Sequence, residues 1–208
     1  MNLTESRAGT VKRIGGRLSL DFTNTVDLHV GDYPEERIKR YEDFVAWGWH
    51  VGLLTEGEAE SLLKAADLRP QESAKALERA IALRETIYRI FSAFSQGHSP
   101  SETDLATFNA SLSDAQSRSI IVRTQNGFTW GFPDTVDPLE RVFWHVVHDA
   151  ADLLTSDDLS RVRECGGEKC GWLFFDQSRN HSRRWCSMED CGNTAKARRF
   201  YRRKRPIA

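Results

Sequence analysis

Apolar residues recur along this chain with two different periods, and the changes of period predict its elements. Arg17-Leu18-Ser19-Leu20-Asp21-Phe22 alternates polar with apolar, the pattern of a half-buried strand. Asp32, Pro34, Glu35 and Glu36 read as a helix start. A helix running from there to about Val51 would carry Ile38, Tyr41, Phe44 and Val45 on one side. Thr55-Glu56-Gly57-Glu58 is a capping box that opens a second helix. Over about 71–96 the apolar positions Ala76, Ala80, Leu83, Ile87, Ile90 and Phe94 step by three and four, which draws one stripe along a third helix. Ser101-Glu102-Thr103-Asp104 opens a short fourth. Ser119–Arg123 and Phe128–Phe132 read as strands joined at Asn126-Gly127, a strong hairpin signal. Pro138, after Asp137, opens a last long helix ending near Leu154, and Ser156-Asp157-Asp158 marks a boundary. Helices and strands do not alternate regularly, so a doubly wound parallel sheet is not expected. Residues 1–155 read as a mixed helix and strand domain, 156–208 as a small second one, and the whole as α+β.

All four cysteines fall in the second part, as C-x4-C, fifteen residues, then C-x4-C: Cys165, Cys170, Cys186 and Cys191. Two disulfides or four buried thiols are the alternatives to a metal site. Tight clustering in a chain expected to be intracellular favours the metal. Four sulfurs favour zinc or iron; around one Zn²⁺ they leave no open position, so the zinc would be structural. Gly166-Gly167 supplies the freedom of a tight metal-binding turn. Trp172-Leu173-Phe174-Phe175 and Arg184-Trp185 read as two short strands, and Ser187 with Asp190 as the cap of a helix that holds Cys191 in its first turn. Turn, hairpin and ligand-bearing helix are the plan of a treble-clef finger. A module of about fifty residues has too small a core to be secure alone, so metal binding should supply much of its folding energy.

Charge changes the picture next. The net charge of −1 conceals ten Lys/Arg against two Asp/Glu in residues 179–208, and nineteen against twenty-eight in the rest. The end is therefore +8 and the body −9. A polyanionic partner is expected for the end and not for the body. At 100° per residue, Lys196, Arg198, Arg199, Arg202, Arg203 and Arg205 cover half of a terminal helix. Ala197, Phe200 and Tyr201 fall on the other half, where they would pack on the finger's aromatic strands. Arg179, Arg183 and Arg184 in the preceding loop would extend the basic patch. Phosphate contacts from these groups would make affinity fall steeply with salt.

The second part resembles a known family. Trp172-Leu173-Phe174-Phe175-Asp176, Ser178-Arg179-Asn180, Ser182-Arg183-Arg184-Trp185-Cys186-Ser187-Met188 and Cys191-Gly192-Asn193 are similar to the CGNR zinc finger, as is Ala195-Lys196-Ala197-Arg198-Arg199. The family's Cys-Gly-Asn-Arg motif ends here in Thr194, which removes one cation and leaves the ligands intact. Upstream, Gly16-Arg17-Leu18-Ser19-Leu20-Asp21-Phe22-Thr23-Asn24-Thr25 resembles the opening of the ABATE domain. The two resemblances imply a bacterial, stress-linked transcription regulator with an α/β N-terminal domain and a treble-clef finger.

Other signals carry less. His145 and His148 are three apart on a helix, but no acidic partner is placed by spacing, and a structural role is expected. Asp21 and Asn24 either line a pocket for a small effector or cap the turn that follows them. Trp47, Trp49, Trp130 and Trp144 read as core. Phosphate-loop, nucleophile-elbow and zinc-protease motifs are absent, so no enzyme is expected. No apolar run approaches the roughly 20 residues of a membrane span, and Met1–Ser6 lacks the apolar core of a signal peptide. The expected protein is cytoplasmic. It binds nucleic acid, DNA before RNA, and its N-terminal part senses an effector or forms a homodimer. An RNA-binding or protein-docking module is the alternative, and a metal-dependent nuclease a more distant one.

Overall fold

A computed structural model describes residues 6–133 and 138–204 of the chain. The expected fold class, α+β, holds. The helices are α1 Leu18–Thr23, α2 Tyr41–His50, α3 Glu56–Leu68, α4 Pro70–Ser95, α5 Glu102–Arg118, α6 Arg141–Leu154 and α7 Asn193–Lys204. The strands form three separate antiparallel pairs: β1 Val26–Asp27 with β2 Glu35–Glu36, β3 Ile120–Thr124 with β4 Gly127–Gly131, and β5 Val162–Glu164 with β6 Leu173–Phe175.

Helix α4 is the spine. Its first residue is Pro70, and Ala76, Ala80, Leu83, Ile87 and Ile90 of the expected stripe are buried, with Phe94 half-buried. Helices α1, α2, α3 and α5 pack against it, and α6 packs on α1 and α5. The capping box of Thr55 and Glu58 opens α3 as expected. Helix α5 is longer than predicted, because Leu105, Phe108, Leu112 and Ala115 continue one apolar stripe onto the core. A short turn at Pro138–Glu140 leads into α6, while Asp137 lies outside the described residues.

Two predictions in the N-terminal part are corrected. Residues 18–23 form a helix, not a strand. Alternation misled because the polar residues do not face water. Ser19 donates from its N–H and hydroxyl to Asp149 Oδ2 at 2.8 and 2.6 Å. Asp21 Oδ1 accepts from the Gly15 N–H at 2.8 Å, and Thr23 donates to the Leu20 carbonyl. A helix buried on every side has no polar face for a periodicity to reveal. The second correction is at residues 34–40, which are not helical: Glu35–Glu36 form β2, and α2 starts only at Tyr41. The cause is tertiary: Arg84 of α4, 2% exposed, grips both oxygens of Glu36 at 2.8 and 2.6 Å. Glu36 is thereby held in β2, opposite Val26. Asp43 Oδ2 then accepts the N–H groups of Lys39 and Arg40 and opens the helix there.

The expected hairpin is present with Ile121 opposite Trp130, but it lies outside the core. Ile120, Ile121, Val122, Phe128 and Trp130 are all exposed. Of the four tryptophans expected inside, Trp47 and Trp144 are fully buried, Trp49 is partly buried and Trp130 is 45% exposed. His148 is enclosed: its ring stacks on Trp130 at 4.9 Å, and Nε2 meets Ser119 Oγ at 2.8 Å. His145 meets the edge of Phe132 at 5.1 Å. Burial pushes both imidazoles below their usual pKa, which fits the structural role expected of them.

Residues 162–175 divide between two cores: Cys165 and Phe174 pack with Cys186 in a small cluster of their own, while others join the main one. Val162, Leu173 and Phe175 are buried in the same cluster as α1, α4 and α6. Strand β5 lies on α4 and β6 on α1. Phe175 N–H donates to the Gly15 carbonyl at 2.7 Å, and Trp172 Nε1 to the Val26 carbonyl at 2.8 Å.

Candidate metal centre and basic helix

The four cysteines converge from three places in the C-terminal segment. Cys165 leaves β5, and its N–H donates to the Trp172 carbonyl at 2.8 Å, extending the ladder by one rung. The chain then turns, Cys170 N–H donating to the Gly167 carbonyl at 3.0 Å. Neither Gly166 nor Gly167 takes a positive φ, so conformational freedom is not what the turn draws from them. Space is: a Cβ on Gly167 would lie 3.0 Å from Cys191 Sγ and 3.5 Å from Cys165 Sγ. The positive φ falls at Gly171, +68°, where a Cβ would also meet Val30 at 2.8 Å and Tyr88 Oη at 2.9 Å. Cys186 arrives on an extended segment. The strand expected at Arg184-Trp185 is reduced to one bond, Gly166 N–H to the Arg184 carbonyl. Cys191 sits in the helical turn Met188–Gly192, which is capped by Ser187 as predicted and runs into α7.

All four sulfurs lie within 4.8 Å of one another. The Cys170–Cys186 and Cys186–Cys191 separations are both 3.6 Å. Disulfide sulfurs would be about 2.05 Å apart, and all four thiols are free. Tetrahedral Zn²⁺ with bonds of about 2.3 Å sets its sulfurs about 3.8 Å apart. The Cys186 N–H points at Cys165 Sγ, 3.2 Å away, a donor that favours thiolate. The donor set and its spacing fit one structural zinc ion held by Cys165, Cys170, Cys186 and Cys191.

The surroundings tie this centre to the body. Asn24, fully buried, donates from Nδ2 to the Leu173 carbonyl at 2.8 Å and accepts the Leu173 N–H at Oδ1 at 2.9 Å. The Cys170 carbonyl accepts from the His29 N–H at 2.9 Å. The His29 ring stacks on Tyr88 at 3.6 Å and meets Glu85 at 3.1 Å. Burial raises the Glu85 carboxyl, but His29 and Arg84 outweigh it and hold the pKa at about 2. Asp21 is 7% exposed, and burial pushes its carboxyl up to about 6. Asp21 and Asn24 are thus occupied inside the fold, one closing the preceding turn at Gly15 and the other clamping β6. Neither side chain makes the expected cap on the turn that follows them.

The basic residues separate into two groups. Arg183 works within the finger: its Nε donates to the Trp185 carbonyl at 2.9 Å, Nη2 donates to the Cys186 carbonyl, and the guanidinium covers Phe174 at 4.4 Å. Its loop is arranged by Asp176, fully buried, which accepts the N–H groups of Ser178 and Arg183 at 2.9 Å each. No spacing rule could have identified that carboxylate. Arg179 and Arg184 are exposed, the latter over Trp185 at 5.3 Å. On α7, Arg198 pairs with Glu168 of the metal-binding turn. Lys196, Arg199, Arg202 and Lys204 are exposed and have no ion-pair partner among the described residues. The Arg203 side chain and Arg205 lie outside the described residues. Lys204, absent from the expected basic face, brings its Nζ to 4.5 Å from the Phe200 ring centre. Phe200 and Tyr201 do not pack on the finger as expected; they are 54% and 68% exposed. Between α7 and the metal-binding turn runs a cleft of about 1050 Å³, lined by Gly167, Lys169, Thr194, Arg198, Arg199 and Arg202 among others.

A helical body that clamps a four-cysteine centre to its own core defines a zinc-finger protein. The particular family follows from the sequence: residues 16–157 match ABATE, described as "Putative stress-induced transcription regulator", and the chain belongs to that family. Residues 161–204 match the CGNR zinc finger. No curated protein matches the chain. Among the described residues no helix is long and apolar enough to cross a membrane.

Proposed function

We propose that this protein is a non-enzymatic, cytoplasmic, bacterial transcription regulator linked to stress, and that it binds DNA through the surface of α7 beside the zinc centre. One observation carries the reading. Four cations of α7 are exposed and unpaired among the described residues, on a chain whose remaining 178 residues are strongly acidic. Such a split favours a polyanion at one end and repels it elsewhere. With four thiolate ligands a bound zinc ion would have no open position, and through Cys191 it would fix the turn that starts α7 to the rest of the finger. Direct bonds between the body and Leu173, Trp172 and Cys170 give an effector or partner on the body a route to the finger.

The test is a polarisation titration of the zinc-loaded protein with duplex DNA and structured RNA at several salt concentrations. Salt-steep binding to duplex, weaker on RNA and abolished by chelation, is the expected result. No binding at low salt overturns it.

For the body we propose homodimerisation through the β3–β4 hairpin, on which Ile120, Ile121, Val122, Phe128 and Trp130 are all exposed. Sedimentation should show a dimer that Ile121→Lys converts to monomer; a monomeric wild type removes the proposal.

A further inference from the structure

The two aromatic residues of α7 are misplaced for a simple phosphate-binding helix. Phe200 and Tyr201 fall on the half that a buried helix would turn inward, yet both are more than half exposed. Lys204 explains why that half cannot be buried. At 100° per residue it falls between the two rings, and Lys196, Phe200 and Lys204 follow one another at i, i+4 and i+8. The row places an aromatic face between two cations over about 12 Å of helix. Packing it into an apolar protein groove would strip water from Lys196 and Lys204 without pairing them, which is costly. A ligand that suits the row must bring flat apolar faces and negative charges in alternation. Stacked base pairs in a duplex hide those faces; a single strand presents them.

Resting on the nucleic-acid reading above, we propose that α7 engages unpaired nucleotides of single-stranded DNA, with bases stacked on Phe200 and Tyr201 and the flanking phosphates on Lys196 and Lys204. The rings stand at 76° with centres 5.8 Å apart, so they receive two bases at separate angles and not one continuous stack. Phe200 already carries Lys204 over its ring at 4.5 Å, which leaves its other face for a base and sets the ammonium beside that base's phosphate. Tyr201 is the more exposed ring and has Arg198 one turn before it, an arginine drawn aside by Glu168. In the regulatory setting such a strand is a locally opened duplex.

The experiment compares a 20-nucleotide single strand with the duplex of the same sequence, using the full zinc-loaded chain and the double variant Phe200→Leu with Tyr201→Leu. Leucine keeps helix propensity and both sites are exposed, so folding should be unaffected, and zinc content with far-ultraviolet circular dichroism verifies this. The expected result is tighter binding to the single strand, about tenfold or more of it lost in the variant. The slope of affinity against salt should stay unchanged, because that slope counts phosphate contacts. Wild-type affinity that is unaltered in the variant overturns the stacking proposal while the nucleic-acid reading stands. Failure of the wild type to bind either probe at low salt overturns the nucleic-acid reading and this proposal with it. A helix row that instead docks on acidic protein would give that second outcome.

Discussion

The side-chain amide of Asn24 pairs with the backbone of Leu173 through both its donor and its acceptor, at 2.8 and 2.9 Å. One residue of the ABATE body thus behaves as an extra strand rung for the finger's hairpin, 149 positions away in sequence. Asn24→Ala removes both partners and leaves a buried N–H and carbonyl unpaired. It should cost about 2–4 kcal/mol of stability, read by urea denaturation. Zinc affinity should weaken with it, because Leu173 belongs to the hairpin that brackets the first two ligands. Unchanged stability would mean that water substitutes for the amide.

Loss of one zinc ligand should not stop at the finger. In Cys186→Ser the centre loses its closure, and hydrogen exchange is expected to rise across 162–192. Because Val162, Leu173 and Phe175 share the main core, protection should also weaken in α1. Full protection of α1 in the zinc-free variant would show that the body folds independently of the centre.

Asp21 should imprint a pH dependence of unusual sign for a carboxylate. Burial raises its folded pKa to about 6, above the ordinary value of 3.8, while the Gly15 N–H pulls the other way. Between these values the folded state holds the proton more tightly than the unfolded one. This residue's contribution therefore falls as pH rises from about 4 to about 6. Asp21→Asn keeps an acceptor for Gly15 and should flatten that part of the stability curve. Parallel curves for the two proteins would refute the assignment.

Arginines of the C-terminal segment should divide by assay. Arg202→Gln is expected to leave the melting temperature alone and to lower the salt slope of nucleic-acid binding by about 1. Arg183→Gln should do the reverse. It breaks the bonds to the Trp185 and Cys186 carbonyls and uncovers Phe174, so thermal stability and zinc retention should fall first. A slope change in Arg183→Gln at unchanged stability would place that guanidinium on the ligand.

The sequence by itself determined the features that rest on local chemistry. The cysteine spacing identified the four ligands, because tetrahedral zinc tolerates few arrangements of close pairs. Caps at Thr55, Ser101 and Ser187 located helix starts, because those side chains bond within their own turn. The stripe of α4 and the Asn126-Gly127 hairpin were equally legible. Tertiary structure decided whatever depended on a distant partner. Asp149 made a helix residue of Ser19, whose alternation with leucines signals a strand. Arg84 drew Glu36 into a strand pair and delayed α2. Asn24 became a clamp because Leu173 lies beside it. Arg183 and Arg202 are the same residue type in one charge run; burial over Phe174 turns the first into scaffold, and exposure leaves the second free. Periodicity and spacing report what a segment does to itself, whereas a buried polar group's role is set by which partner the fold brings within 3 Å.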